Sequence, residues 1–241
     1  MLQLHCGDCL EVLSELPPAS VDMVFTDPPY GTTQSKWDSV IPLDVMWGKV
    51  LRVAKRQAPM VFCAGQPFTS ALIMSQPKLF AYTWVWVKSK ITGVLNAKRM
   101  PVRKHEDIVV FSERPSTWVY NAQGLRRVDK MTSQGSSSDN YGSRDAEEYL
   151  QEFTGWPRDV LEIKSAGKTV HPTQKPEALA EYMIKTYTNP GATVLDFCMG
   201  SGTFGAAAVK LGRRFIGIEK DPKYFNLASE RIRNCYIPAL Y

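Results

Sequence analysis

Thr26-Asp27-Pro28-Pro29-Tyr30 sets an acid, two prolines and an aromatic in succession after the apolar run Val21 to Thr26. That combination suits the activation of an aromatic amine. Such an amine is a poor nucleophile because its lone pair is delocalised into the ring. A carboxylate and a backbone carbonyl that both accept from it favour a tetrahedral nitrogen and localise the lone pair. Asp27 offers the carboxylate, and the paired prolines fix the backbone that presents the Pro28 carbonyl. Tyr30 offers a flat face for stacking on a heterocycle. A proline-rich turn that merely caps a strand, with Tyr30 as ordinary packing, would look the same in isolation.

A second constellation lies far along the chain. Val194-Leu195-Asp196-Phe197-Cys198-Met199-Gly200-Ser201-Gly202-Thr203 reads as a buried strand, an acid, then a glycine turn into a helix. Glycines let a backbone pass close to a ligand, and small residues after them let the helix pack tightly. Glu219 ends the next strand, where a carboxylate can accept both hydroxyls of a ribose. Gly200 to Gly205 also matches G-x-G-x-x-G, so a nicotinamide or flavin enzyme fits this segment too. Asp196 ahead of the turn favours a ligand with amino and hydroxyl groups over one with a pyrophosphate.

Both constellations need strand ends to hold them. Strand-like runs are expected at Leu2 to Cys6, Val21 to Thr26, Met60 to Ala64, Phe80 to Val87 and Ile108 to Phe111. Helical spacing marks Leu10 to Leu16, Leu43 to Lys55 and Phe68 to Met74 between them. From Glu113 to Lys168 the periodicity degrades, and the run Ser133 to Ser138 suggests an insertion with a mobile loop. Regular structure returns with a helix over Lys175 to Thr186. After it come a strand over Thr193 to Phe197, a helix over Thr203 to Leu211, a strand over Phe215 to Glu219 and a helix over Lys223 to Arg233. Strands alternating with helices predict an α/β fold with a doubly wound, mainly parallel sheet. The expected division is 1–112 and 169–241 as two halves of one domain, with 113–168 inserted.

Bulk properties exclude several classes. No apolar stretch approaches the roughly 20 residues that span a bilayer, and Met1 to Cys6 is no secretion leader. No membrane association and a cytoplasmic location are therefore expected. Five cysteines are an odd number, which argues for free thiols over a disulfide framework. Cys6-Gly7-Asp8-Cys9 has half-site metal spacing, but no second pair follows, and no metal site is expected. Lys98, Arg99, Arg103, Lys104, Arg114, Arg126, Arg127 and Lys130 crowd the middle of the chain, with Trp118 and Tyr120 among them. Cations interleaved with aromatics suit a nucleic-acid backbone and exposed bases; a charged surface with two core aromatics is the plainer alternative.

Taken together, D-P-P-Y, F-C-M-G-S-G-T and the H-P-T-Q-K-P run from His171 resemble the exocyclic-amine DNA methyltransferases of adenine N6 and cytosine N4. The order here, catalytic motif, insertion, cofactor motif, is similar to the permuted β class. The resemblance covers all but the middle insertion. It implies a Rossmann-like sheet, S-adenosylmethionine as cofactor and double-stranded DNA as partner, with the target base flipped. By the same resemblance, Asp27 and the Pro28 carbonyl hold the amine while Tyr30 stacks. Asp196, Phe197, Gly200, Ser201, Gly202 and Thr203 form the loop under the methionine portion, and Glu219 binds the ribose. Asp8 receives the adenine amine of the cofactor, and Thr173 and Lys175 cap its carboxylate. Trp84, Trp86, Lys88 and the segment from His105 are similar to second-half strands of the family.

Two positions depart from it: the family commonly has proline at Cys198 and a second threonine at Phe204. Asp27 points to adenine, because cytosine enzymes more often carry serine there, and RNA or protein-amide enzymes asparagine. The remaining alternatives are cytosine N4 transfer, transfer to RNA or a protein amide, and a DNA-binding module without catalysis. No nuclease-like carboxylate cluster is visible, no cysteine nucleophile is required, and a homodimer is compatible with the sequence.

Overall fold

In the computed structural model, residues 1–33, 38–133, 148–167 and 174–235 are described. Two compact units emerge, one built from Met1–Asn121 with Asp159–Tyr241, the other from Ala122–Arg158.

The larger unit opens with β1 (Leu2–Cys6), α1 (Cys9–Glu15), β2 (Met23–Thr26), α2 (Leu43–Val53), β3 (Met60–Ala64) and α3 (Phe68–Ser75). Next come β4 (Phe80–Thr92) and β5 (Arg103–Phe111), joined through a single 3-10 turn at Val94–Asn96. The second unit holds β6 (Arg126–Ser133) and β7 (Glu148–Thr154). The larger unit then resumes with β8 (Val160–Glu162), α4 (Glu177–Tyr187), β9 (Thr193–Asp196), α5 (Thr203–Lys210), β10 (Arg214–Glu219) and α6 (Pro222–Cys235).

Eight strands form one sheet in the order β1-β10-β9-β2-β3-β5-β4-β8. β5 runs antiparallel to β3 and β4, while the other neighbouring pairs are parallel. The doubly wound, mainly parallel sheet expected from the sequence is present. From β2 the chain winds outward to β3, and from β9 it winds the other way to β10. The winding reverses between β2 and β9, and their carboxyl ends therefore flank the crevice in which such sheets bind ligands.

Period-two alternation separates the two sides of the core. Met23 and Phe25 of β2 pack with the apolar faces of α4, α5 and α6. Val24, with Met60 and Phe62 of β3, packs against α1, α2 and α3. In α2, Met46, Trp47, Val50 and Val53 fall on one stripe at helical spacing and are all buried. Helix α4 starts at Glu177 rather than Lys175, because Pro176 occupies its N-cap with extended backbone.

The middle of the chain carries more strand than its sequence suggests. β8 adds to the main sheet beside β4. β6 and β7 form an antiparallel pair with a bulge between Arg127 and Lys130. Asp129 adopts a left-handed φ of 43° at this bulge and accepts from Arg127 Nε at 2.8 Å. Trp118, grouped above with the nucleic-acid cations, packs edge-on against Tyr82 and Tyr187 beside the core instead. The serine-rich run from Gln134 onward lies outside the described residues.

Candidate active site

A cleft of about 1270 Å³ opens at the β2–β9 crevice, lined by Asp27, Pro28 and Tyr30 on one side and Asp196, Gly200 and Glu219 on the other. β2 and β9 are direct neighbours, with Val24 opposite Leu195. Just beyond this register, Thr26 Oγ1 donates to Asp196 Oδ1 at 2.8 Å. That buried bond fastens the strand end carrying Asp27 to the strand end carrying the glycine loop.

Asp27 has both oxygens engaged. Tyr30 donates its hydroxyl to Oδ1 at 2.6 Å, and Lys175 donates to Oδ2 at 2.5 Å. The Tyr30 ring stacks on Phe68 of α3 with centroids 5.3 Å apart, and Lys175 Nζ lies 5.8 Å from its centroid. Burial and the adjacent Asp27 carboxylate hold the Tyr30 phenol well above its usual value, so it remains a neutral donor.

Lys175, which the resemblance assigns to the cofactor's carboxylate, has its ammonium between Asp27 and Glu106, 3.4 Å from Glu106 Oε2. Glu106 Oε1 accepts from Lys88 at 3.0 Å. Burial alone would pull the Lys175 ammonium down, but Asp27 and Glu106 outweigh it and hold it well above the ordinary lysine value. Burial pushes the Glu106 carboxyl up, yet Lys175 and Lys88 outweigh it and hold it below the usual range. The site is thus a buried chain of alternating charge: Asp27, Lys175, Glu106, Lys88.

The loop after Tyr30 is held by another acid that the sequence reading passed over. Asp38 accepts from three successive backbone amides, Gly31 at 2.8 Å, Thr32 at 2.9 Å and Thr33 at 2.6 Å. Burial raises its carboxyl, but the Thr33 hydroxyl and these amides prevail and keep it below the usual range.

On the other side, Asp196 is buried among anions rather than cations. Burial, with Asp27 and Glu219 nearby, outweighs the bonds from Thr26 and Cys198 and pushes its carboxyl up to about 8. Cys198 N donates to Asp196 Oδ1 at 3.1 Å. Proline, common in the family at this position, could not make that bond. Phe204, the second departure, stacks on Phe25 with centroids 3.9 Å apart and planes 7° from parallel. A hydroxyl is exchanged there for direct packing of α5 on β2.

Glu219 closes the loop from β10. Its Oε2 accepts from Gly200 N at 2.9 Å and its Oε1 from Asp221 N at 2.8 Å. Gly202 is the N-cap of α5 with φ 74°, and an added Cβ would lie 3.0 Å from Ala228 and Ile232 of α6. Ser201 and Thr203 are buried, and Arg231 of α6 donates to the Ser201 carbonyl and the Thr203 hydroxyl. Phe197 lies edge-on to Phe62 and serves the core with its side chain. Asp8 caps α1 through Leu10 N at 2.9 Å and pairs with Lys220 at 3.0 Å, so any ligand contact falls to its remaining lone pairs. Thr173 lies outside the described residues.

Comparison with known proteins agrees with this architecture. The DNA methylase family model for N6 and N4 methyltransferases matches residues 21–230. The chain is 29% identical to the DNA adenine methyltransferase YhdJ of Escherichia coli (strain K12), covering 94% of this chain and 81% of that protein. It is 28% identical to the type II methyltransferase M.HpaI of Haemophilus parainfluenzae, covering 95% of this chain and 74% of that one. The solved structure of the M1.HpyAVI–SAM complex superposes with a TM-score of 0.65 at 28% identity, covering 96% and 100% of the two chains. The oxidoreductase reading of the glycine loop is set aside, and the chain belongs to the N6/N4 DNA methylase family.

Proposed function

We propose that the protein transfers a methyl group from S-adenosylmethionine to the exocyclic amine of adenine in double-stranded DNA, with the base rotated out of the helix. The observation that carries this reading is Asp27, a carboxylate at the reversal of the sheet that lines one cleft with the Asp196 loop. The bound cofactor supplies a methyl carbon made electrophilic by its sulfonium.

The residues present fit that group. Glu219 spends one lone pair on each backbone amide it holds, which leaves further lone pairs for two ribose hydroxyls. Asp196, pushed up to about 8 with Asp27 and Glu219 as its charged neighbours, gains from a cationic ligand in the cleft. Among the described residues, a Cβ at Gly200 would meet nothing within 4 Å, which leaves space there for a ligand.

Toward the base, Asp27 and the Pro28 carbonyl accept from the amine and localise its lone pair. Asp27 also stabilises the nitrogen as it becomes cationic. Tyr30, seated on Phe68, presents its ring to the flipped base. Lys175 fixes Asp27 Oδ2 in place. Holding both reactants in line can remove roughly 7–11 kcal/mol of the barrier. The Ala122–Arg158 unit, with Arg126, Arg127 and Lys130 exposed, is assigned to target recognition.

Adenine is favoured because Asp27 stands where cytosine enzymes more often carry serine, and because YhdJ is named a DNA adenine methyltransferase. The experiment is direct. Duplex DNA is incubated with the protein and labelled cofactor, digested to nucleosides and separated by mass; N6-methyladenine is expected. Label in N4-methylcytosine alone would replace the target and keep the mechanism. Label in RNA or protein, with none in DNA, would overturn the substrate class.

Glu219→Ala is expected to weaken cofactor binding about tenfold or more, since hydrogen bonds to a charged group contribute about 1.5–3 kcal/mol. Titration calorimetry with S-adenosylmethionine reads this directly. Unchanged affinity would remove Glu219 from the ribose site.

A further inference from the structure

We propose that the turn joining β4 and β5 is a wedge that enters the DNA stack beside the flipped base, with Leu95 filling the space the base leaves. The inference rests on the reading of duplex DNA as substrate. Leu95 is fully exposed (101%), and Ile91, Val94 and Met100 beside it are exposed as well. Large apolar side chains gathered at the tip of a projection expose surface that water disfavours, and such patches mark binding sites.

The surroundings say what binds. Lys90, Lys98, Arg99, Arg103 and Lys104 are exposed around the tip, and no acid lies between Ser89 and His105. An apolar tip ringed by cations matches a duplex, whose phosphates surround a stacked apolar interior. A second copy of this chain would bring five cations against five of the same sign.

The turn is also built to bear load and lies at the right place. Gly93, in the left-handed region at φ 81°, leads into the 3-10 turn. Bonds from Asn96 N to Gly93 O, Ala97 N to Val94 O and Met100 N to Asn96 O hold the tip together. Below it, Lys90 N donates to Ser165 Oγ, and Ser165 N to Ser89 Oγ. Lys90, Thr92, Gly93 and Arg103 line the same cleft as Asp27, so the tip stands at the mouth through which a base must pass. Rotating a base out costs a few kcal/mol of stacking. An apolar side chain in the vacated space restores part of that stacking.

The test uses the full chain with Val94→Ser and Leu95→Ser combined, exposed positions where folding is not at stake. Two probes are compared: a short duplex bearing the methylated site, and the same duplex with an abasic site opposite the target. Expected is a fall of at least about tenfold in kcat/KM on the intact duplex, with nearly wild-type rates on the abasic one. 2-Aminopurine at the target position should brighten on binding wild type and far less on binding the variant. Equal rates on the intact duplex overturn the wedge. An equal fall on both duplexes also overturns it, leaving a simple contact. A wild-type dimer that becomes monomeric in the variant by sedimentation assigns the tip to self-association and overturns it too. If wild type methylates neither duplex nor abasic DNA, the substrate reading fails first, and the wedge falls with it.

Discussion

Asp27→Ala is expected to lose at least about 100-fold in turnover while S-adenosylmethionine binds with nearly unchanged affinity. The size follows from removing one preorganised acceptor aimed at charge that develops in the transition state. The selectivity follows from the proposed roles: Asp27 is assigned to the amine, whereas Thr26, its neighbour, carries the bond to the glycine loop through Asp196. Thr26 is untouched by the substitution, so the cofactor side keeps its frame. Lys175 loses one carboxylate but keeps Glu106. Single-turnover rates and calorimetry on the same preparation separate the two quantities. A variant with full turnover removes Asp27 from the chemistry. A variant that loses cofactor binding in step with turnover places it in the cofactor site instead.

The parts of this site that were legible share one property: they sit in continuous sequence at strand ends. D-P-P-Y follows β2, and the glycine loop follows β9, so an apolar run plus its terminus locates each. The charge chain behind Asp27 was not legible in the same way, because its members come from three elements far apart in sequence. A local signal did exist. Trp84, Trp86 and Lys88 alternate along β4 and are all buried, so Lys88 falls on the inward face with two tryptophans. Glu106 likewise shares a face of β5 with Ile108 and Val110. A cation and an acid at inward positions of neighbouring strands, with Trp86 registered opposite Glu106, mark a buried pair. Lys175 escapes even this rule. It precedes α4 behind Pro176, and its partner is set by how α4 docks on the sheet, which no local pattern encodes.

The strands of the middle segment were missed for a related reason. β6 is exposed at almost every position, so the alternation that betrays a half-buried strand is absent. Its order comes from pairing with β7, and β8 has three residues, too few for a pattern. By contrast, the centre of the main sheet was readable because β2, β3 and β9 are apolar runs buried on both faces.

Lys175→Met is expected to destabilise the fold by about 3–5 kcal/mol at neutral pH, the cost of leaving buried charges without their partner. Glu106 would then keep only Lys88 as a cationic partner, and Asp27 only the Tyr30 hydroxyl among the bonds described above. The pH dependence distinguishes charge from packing. Glu106 lies below the usual glutamate range in the folded protein, so its contribution is present above the unfolded value, about 4.3, and is lost as pH falls through the folded one. Lys175 lies above the ordinary lysine value, so its contribution is complete below about 10.4 and fades only as pH rises through the folded value. These two statements describe one interaction and are not summed. As pH drops toward 4, Glu106 in the variant, without the Lys175 ammonium beside it, takes up a proton and its penalty disappears, while in wild type Glu106 stays ionised until pH falls through its lower folded value. The deficit of the variant should therefore shrink steadily on acidification. Adding Glu106→Gln to Lys175→Met should recover part of it at neutral pH, because one surplus anion is gone. Urea unfolding of the three proteins between pH 4 and pH 8 measures both effects. A deficit that is constant with pH and unchanged by Glu106→Gln would mean that Lys175 acts through its aliphatic stem, and that Asp27 is held by Tyr30 alone.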